Sequence, residues 1–307
     1  QLMEHFQNLP ANQTVNLEKG DEGKPKPSLA NVLCLHHPIV IVDEAHNSRT
    51  ELSFSTLGNL SPSCIIEFTA TPDTKENPSN VLYRVTASDL KRDNMIKLPV
   101  HVYTRVTAER DIILGEALNT RQKLDEIAVL EGQETREYLR PILLIQAERV
   151  DACEPLREEL VSKFGLSRDS IKISTGKLEE LEAVKNIDSP ACPVTVIITV
   201  QKLREGWDCP FAYVLCSLRE THSATAIEQI VGRILRLPSV TSKKHAELNC
   251  AYVYSVSPSV QEVLHELQAA LVSNGFTTAE ARNSIIVAQP GFALGGNERL
   301  IQLNPVV

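Results

Sequence analysis

Ile39-Val40-Ile41-Val42-Asp43-Glu44-Ala45-His46 is the stretch on which the reading of this chain turns. Four consecutive β-branched apolar residues suit a strand. Because the run is continuous rather than alternating, the expected strand is one covered on both faces, as in a parallel sheet. It delivers two carboxylates at its carboxyl end, where open α/β sheets bind their ligands. Adjacent carboxylates at such a place can hold a hydrated divalent cation and orient a water. Standing alone, the same tetrapeptide could be an acidic strand-to-helix turn that caps a helix N-terminus.

Working outward, apolar runs recur at 65–68, 142–145, 194–200 and 213–216, several of them continuous, so the class is α/β with parallel sheet. Residues 107–139 are charged, with Ile113, Ala117, Leu124, Ile127 and Leu130 near helical spacing. That predicts one or two amphipathic helices and places the junction between two domains there. A second sheet is expected from Pro141 to about Ser257. After it, a docking helix over 260–273 carries the stripe Val263, Leu264, Leu267, Leu271 and Val272, with Gly275 as its C-cap. Residues 1–30, broken by Gly20, Gly23, Pro25 and Pro27, read as a poorly packed insertion or linker, and the Gly/Pro-rich end after Gln289 as the start of a further region. The division is then 1–106, 107–257 and 258–307.

At 307 residues there is room for two packed domains, because a single core stops growing at roughly 250–300 residues. No apolar run approaches the roughly 18 residues a membrane span requires, so no membrane partner is expected. The start, Gln1-Leu2-Met3-Glu4, has neither the basic nor the apolar part of a signal peptide, does not look like a translation start, and reads as a fragment boundary. The seven cysteines include no CxxC; they signal neither a zinc knuckle nor a disulfide framework and point to a reducing cytoplasm. His36-His37 lacks a second ligand cluster and reads as a loop before a strand. A net charge of −8 excludes a protein that coats nucleic acid through its overall field, so any such contact must be local.

Three further stretches carry chemistry. Phe68-Thr69-Ala70-Thr71-Pro72 ends a strand with small hydroxyl residues that can link a phosphate site to neighbouring backbone, though alone it would pass for a Thr/Pro turn. In the stretch from Thr199 to Asp208, Gly206 permits close backbone approach and Asp208 adds an acceptor; the ordinary alternative is a Gly-bearing turn with a surface tryptophan. In Gln229-Ile230-Val231-Gly232-Arg233-Ile234-Leu235-Arg236, positions 229, 233 and 236 would share one face of a helix. Two guanidiniums aimed together suit a phosphate chain, whereas a solvated basic face is the plain alternative.

Together, Asp43-Glu44-Ala45-His46, Thr69-Ala70-Thr71-Pro72, Gly206-Trp207-Asp208 and Gln229-x-x-Gly-Arg-x-x-Arg236 resemble, in order and separation, motifs II, III, V and VI of superfamily 2 helicases of the DEAH-box kind. The strings at 43–48, 203–208 and 232–238 are most similar to the helicase part of type III restriction enzyme Res subunits. The strand end Ile145-Gln146 and Ser174-Thr175-Gly176 are similar to the weaker motifs between, and the resemblance covers roughly residues 32–256. It implies two RecA-like lobes, the first incomplete at its N-terminus, with ATP in the cleft between them and nucleic acid across both. By that resemblance Asp43 holds Mg²⁺ through water and Glu44 acts on the attacking water. His46 and Gln229 couple nucleotide to the far lobe, Gly206 and Asp208 line the cleft, and Arg233 and Arg236 reach the phosphates as arginine fingers. Thr71 and Thr199 fall on the nucleic-acid side.

Two departures qualify what the resemblance implies. No G-x-x-x-x-G-K-[ST] occurs, so the loop and lysine that cradle phosphates are missing and are expected upstream, which would leave this fragment alone inactive. Nor is there a convincing Pro-Asp followed by Glu-x-Lys, so DNA cleavage is not assigned to these residues. The expected function is an ATP-dependent DNA translocase motor with ATP and Mg²⁺ as cofactors, duplex DNA as partner, and a methyltransferase or specificity subunit as a possible second partner. An RNA helicase and a non-hydrolysing nucleic-acid-binding clamp of the same fold are the alternatives.

Overall fold

β1 (Ile39–Val42) and β2 (Cys64–Glu67) pair in parallel without a slip, from Ile39 opposite Cys64 to Val42 opposite Glu67. In the computed structural model the described residues are 17–21, 23–48, 50–69, 72–73, 78–105, 109–200, 209–219, 234–257 and 259–287. They fall into two compact units, Gln1–Tyr83 and Arg84–Val307.

In the first unit, α1 (Leu29–His36) starts at Ser28, whose hydroxyl accepts from the Asn31 amide, and ends where His37 turns left-handed at φ 46°. His37 Nδ1 lies 2.9 Å from the Ser61 carbonyl, so this histidine shapes the turn into β1, as the loop reading expected. Part of the stretch read as loosely packed is tied down. Buried Asn31 receives the Glu18 amide and donates to the Glu18 and Lys26 carbonyls, and Lys19 bridges Pro25. α2 (Glu51–Asn59), capped by the Thr50 hydroxyl, carries the chain from β1 to β2. The expectation that these strands are covered on both faces is corrected here: Ile39 and Ile41 are 64% and 65% exposed, and Ile65 and Ile66 are exposed too. Covering both faces of a parallel strand takes a layer on each side, and the described residues of this unit do not supply both.

In the second unit the central strands meet the expectation of a parallel sheet covered on both faces. Its sheet runs β5-β6-β4-β7-β8-β3-β9, every neighbouring pair parallel. The strands are β3 (Val100–Arg105), β4 (Ile142–Gln146), β5 (Ile171–Ile173), β6 (Val196–Thr199), β7 (Ala212–Ser217), β8 (Ala251–Val256) and β9 (Ile285–Val287). Every residue of β4, β6, β7 and β8 is buried, which is why their sequences are continuous apolar runs. Each fully buried Leu or Ile there contributes about 1.5–3 kcal/mol. Residues 107–139 supply one helix of 26 residues, Arg110–Thr135, packed on β3, β4, β7 and β8. Its buried positions 113, 117, 120, 124, 128 and 131 step by three and four, with Leu114 buried beside the first of them. Ile113, Ala117 and Leu124 face the core as expected, whereas Leu130 is exposed and its place is taken by Glu131.

The division between units lies at 83/84, where the sequence reading sets it at 106/107. β3 accounts for the difference: it pairs with β8 over its whole length and with β9, and that ladder holds it in the second sheet. The helix Val260–Ser273 buries Val263, Leu267, Ala270 and Leu271, while Val272 is exposed. Gly275 follows with φ 94°, the left-handed backbone that ends many helices. Since β9 joins this sheet, residues 260–287 are part of the same unit rather than the start of another.

Candidate functional site

The carboxyl ends of the two sheets carry the residues of interest. In the first unit the ladder continues past the strands: the Phe68 amide donates to the Val42 carbonyl at 2.9 Å and the Ala45 amide to the Phe68 carbonyl at 3.0 Å. Asp43 and Glu44 therefore bulge out between two pinned points. Glu44 sits in left-handed backbone at φ 50°, and its amide is taken by Asp43 Oδ1 at 3.0 Å. A non-glycine residue held there costs on the order of 1–3 kcal/mol and persists only where its surroundings over-determine it. Here buried Ala45 and the two flanking hydrogen bonds supply that restraint. Both carboxylates are exposed. His46, in the 3₁₀ turn Ala45–Ser48, places Nδ1 3.4 Å from Glu44 Oε2 and 3.3 Å from the Thr69 hydroxyl. Two stretches picked out separately in the sequence thus meet through one imidazole.

No cluster of three or more His, Cys, Asp or Glu side chains able to hold a metal occurs among the described residues. A hydrated Mg²⁺ does not need one, because it keeps several waters and takes one or two carboxylates plus substrate phosphates. Asp43 suits that role: Oδ1 accepts from the Glu44 amide, and the second oxygen faces out for a cation or its water.

In the second unit the strands change from apolar to polar in one register row. Gln146 lies opposite both Thr199 and Ser217, Ser217 opposite Ser255, and Ser255 opposite Thr104. Beyond Thr199 the row continues to Ser174, whose amide donates to the Ile198 carbonyl. Paired residues on neighbouring strands share a sheet face. Ser217 donates to Gln146 Oε1 at 2.9 Å, and Gln146 Nε2 donates to the Val200 carbonyl at 3.1 Å. Ser174 donates to Glu179 Oε2 at 2.6 Å. The hydroxyls of Thr199 and Ser255 are buried and find no hydrogen-bond partner among the described residues. Ser217 and Ser255 were missed by sequence reasoning; only their position one step past an apolar run could have pointed to them.

Arg236 corrects an expectation. It is exposed and forms an antiparallel bridge with Ile96 instead of continuing a helix, the Lys97 amide donating to the Leu235 carbonyl at 2.6 Å and the Leu237 amide to the Met95 carbonyl at 3.0 Å. Pro238 explains it. The residue before a proline is pushed out of helical backbone, and Leu237 is extended at φ −85°, ψ 129°. Thr71, Gly206, Asp208, Gln229 and Arg233 lie outside the described residues. Burial pushes the thiols of Cys209 and Cys216 up to about 12, so neither is poised as a thiolate nucleophile. No helix among the described residues is long and apolar enough to cross a membrane.

No protein-family model matches the chain. Over 61 residues, 20% of its length, it is 41% identical to the Res subunits of the type III restriction-modification enzymes EcoPI, from Escherichia phage P1, and EcoP15I, from Escherichia coli. That match spans 6% of each of those proteins. Among solved structures the chain is similar to a fragment of a putative HsdR subunit of a type I restriction enzyme from Vibrio vulnificus YJ016, with 17% identity and a TM-score of 0.48 over 82% of this chain and 48% of that one. It is also similar to the DNA-bound type ISP restriction-modification enzyme LlaBIII, with 14% identity and a TM-score of 0.48 over 85% of this chain and 23% of that one.

Proposed function

We propose that the chain is part of an ATP-driven translocase of the superfamily 2 helicase type, working on duplex DNA in a restriction enzyme of the type III Res kind, with a methyltransferase or specificity subunit as its protein partner. The observation that carries this reading is convergence: stretches far apart in sequence end at the carboxyl edges of parallel sheets, His46 against Thr69 in one unit and, in the other, Thr199 between Gln146 and Ser174. Such edges are where α/β sheets bind ligands. The short, 41% identical match to Res subunits points the same way.

On this reading the two units are two RecA-like lobes. Asp43 would hold the hydration shell of a Mg²⁺ ion, which when bound would supply neutralisation of charge on the nucleotide phosphates. Glu44, set out from the strand by its left-handed backbone, orients the attacking water, and His46 ties Glu44 to Thr69. Arg233 and Arg236 meet the phosphates, and Gln229, Gly206 and Asp208 complete the nucleotide surroundings. Thr71 and Thr199 belong to the nucleic-acid side. The test is ATP turnover by the full-length protein with duplex DNA, single strands or RNA added. Strong stimulation by duplex DNA is expected. A preference for RNA would reassign the polymer, and ATP binding without turnover under any condition would favour a clamp.

A further inference from the structure

We infer that Lys97 is a positioning residue that sets, from one buried point, both the segment bearing Arg236 and the exit of the segment bearing Gly206 and Asp208; the roles of those residues rest on the function proposed above. Lys97 is fully buried, and its ammonium donates to the Pro210 carbonyl at 2.8 Å and the Ala212 carbonyl at 2.6 Å while lying 3.9 Å over the centre of the Tyr213 ring. An ammonium is an expensive group to bury, and a leucine or methionine would fill the volume without desolvating a charge. What the charge adds is directional. Three donors on one nitrogen hold two carbonyls of the same turn in a fixed relation, and Ala212 and Tyr213 begin β7.

The backbone of the same residue does the second half. Its amide donates to the Leu235 carbonyl and the Leu237 amide returns a bond to Met95, so Arg236 is clasped on both sides by the strip 95–97. Pro210 follows Asp208 by two residues, and Leu235 follows Arg233 by two. A displacement of Lys97 therefore reaches both segments together. A residue acting only as a core staple would lower stability and leave those segments' local order unchanged.

The chain contains a single tryptophan, Trp207, between Gly206 and Asp208, so its fluorescence reports on that segment without any assay of activity. Lys97→Met should raise acrylamide quenching of Trp207 by about twofold, with Lys97→Arg, which keeps the donors, closer to wild type. Leu144→Ala, a core change in β4, serves as a control of similar stability loss and should leave the quenching alone. In the full-length protein Lys97→Met should lower kcat by about tenfold or more while ATP affinity stays within about twofold. Unchanged quenching in a folded Lys97→Met, or the same change in Leu144→Ala, overturns the inference. Should Lys97→Met not fold, hydrogen exchange on the wild-type chain decides it. The peptides covering 93–98, 203–212 and 233–238 should lose protection together as denaturant rises, and independent opening refutes the coupling. If the wild-type protein shows no ATP turnover, the proposed function fails while the fluorescence and exchange results still stand or fall alone.

Discussion

Replacing Lys243 by Met removes a buried cation from beneath the turn that follows Arg236. The Lys243 side chain is 1% exposed, and its nitrogen donates to Glu137 Oε2 at 2.7 Å, to Glu137 Oε1 at 2.8 Å and to the Pro238 carbonyl at 3.1 Å. Above it, Ser239 and Val240 are both left-handed, at φ 58° and 48°, a backbone that β-branched valine rarely adopts. Removing one partner of a buried pair costs roughly 3–5 kcal/mol. Because the Glu137 side chain is about a quarter exposed and can turn to water, the cost falls below that range, to about 2–3 kcal/mol. At about 2–4 °C per kcal/mol for a domain of this size, thermal unfolding should come roughly 5–10 °C earlier. A double-mutant cycle with Glu137→Gln should give a coupling of about 1–3 kcal/mol. Burial pushes the Glu137 carboxyl up, but the hydrogen bonds from Lys243 and Ser239 outweigh it and leave its pKa below the ordinary value. Its stabilisation is therefore present above the ordinary carboxylate range and lost as pH falls through the lowered folded value, a loss that Glu137→Gln should blunt. A Lys243→Met variant within about 0.5 kcal/mol of wild type, or strict additivity in the cycle, would refute the reasoning.

In the full-length protein, Glu44→Gln should still bind ATP and Mg²⁺ yet lose most turnover, whereas Asp43→Asn should weaken Mg²⁺-nucleotide binding itself; equal nucleotide affinities by equilibrium titration would undo that division of roles. Arg236→Ala should lower kcat by on the order of 10³ with little effect on ATP affinity, and Arg236→Lys should rescue poorly, since an ammonium lacks the planar two-bond grip. Near-normal kcat in both would return Arg236 to a solvated surface residue. Burial, with Glu262 one turn back, pushes the Glu266 carboxyl up to about 7. Its raised folded pKa means that stability is highest below the unfolded value and falls as pH rises toward 7; Glu266→Gln should flatten that slope in chemical denaturation between about pH 4.5 and 7.

The strands of the second unit were legible because burial on both faces leaves a signature that survives in the sequence. The runs at 142–145, 194–200 and 213–216 are β4, β6 and β7 to within a residue or two. Val100–Arg105 escaped because His101, Thr104 and Arg105 interrupt it; His101 is buried by stacking on Tyr252, and Arg105 is held by Glu116. The full Asp43-Glu44-Ala45-His46 turn was visible, but the contact of His46 with Thr69 needs the β1–β2 pairing to bring residues 23 apart in sequence together. Arg236 was misplaced although the proline that ends the helix stood two residues away in the sequence. Helical spacing was weighed there and the restriction before proline was not. Lys97 gave no signal at all, being one lysine in an ordinary charged stretch whose partners are backbone carbonyls more than a hundred residues on.

The polar row across the second sheet is the feature that folding alone explains least. β4, β6, β7 and β8 are built of Val, Ile, Leu, Ala, Cys and Tyr until their last turn of register, then present Gln146, Thr199, Ser217 and Ser255 side by side. A valine at Thr199 or an alanine at Ser255 would need no more space and would spare the burial of a hydroxyl without a partner among the described residues, which costs about 1–3 kcal/mol. Two such costs, on β6 and β8 either side of the satisfied Gln146–Ser217 pair of β4 and β7, mark an edge composed for something other than packing. With a net charge of −8 the chain offers no general attraction to a polyanion. On the function proposed above, a nucleic-acid contact would have to come from short-range donors rather than from the overall field. Hydroxyl and amide donors bind phosphate oxygens without reading base identity, which is what the proposed translocase would require.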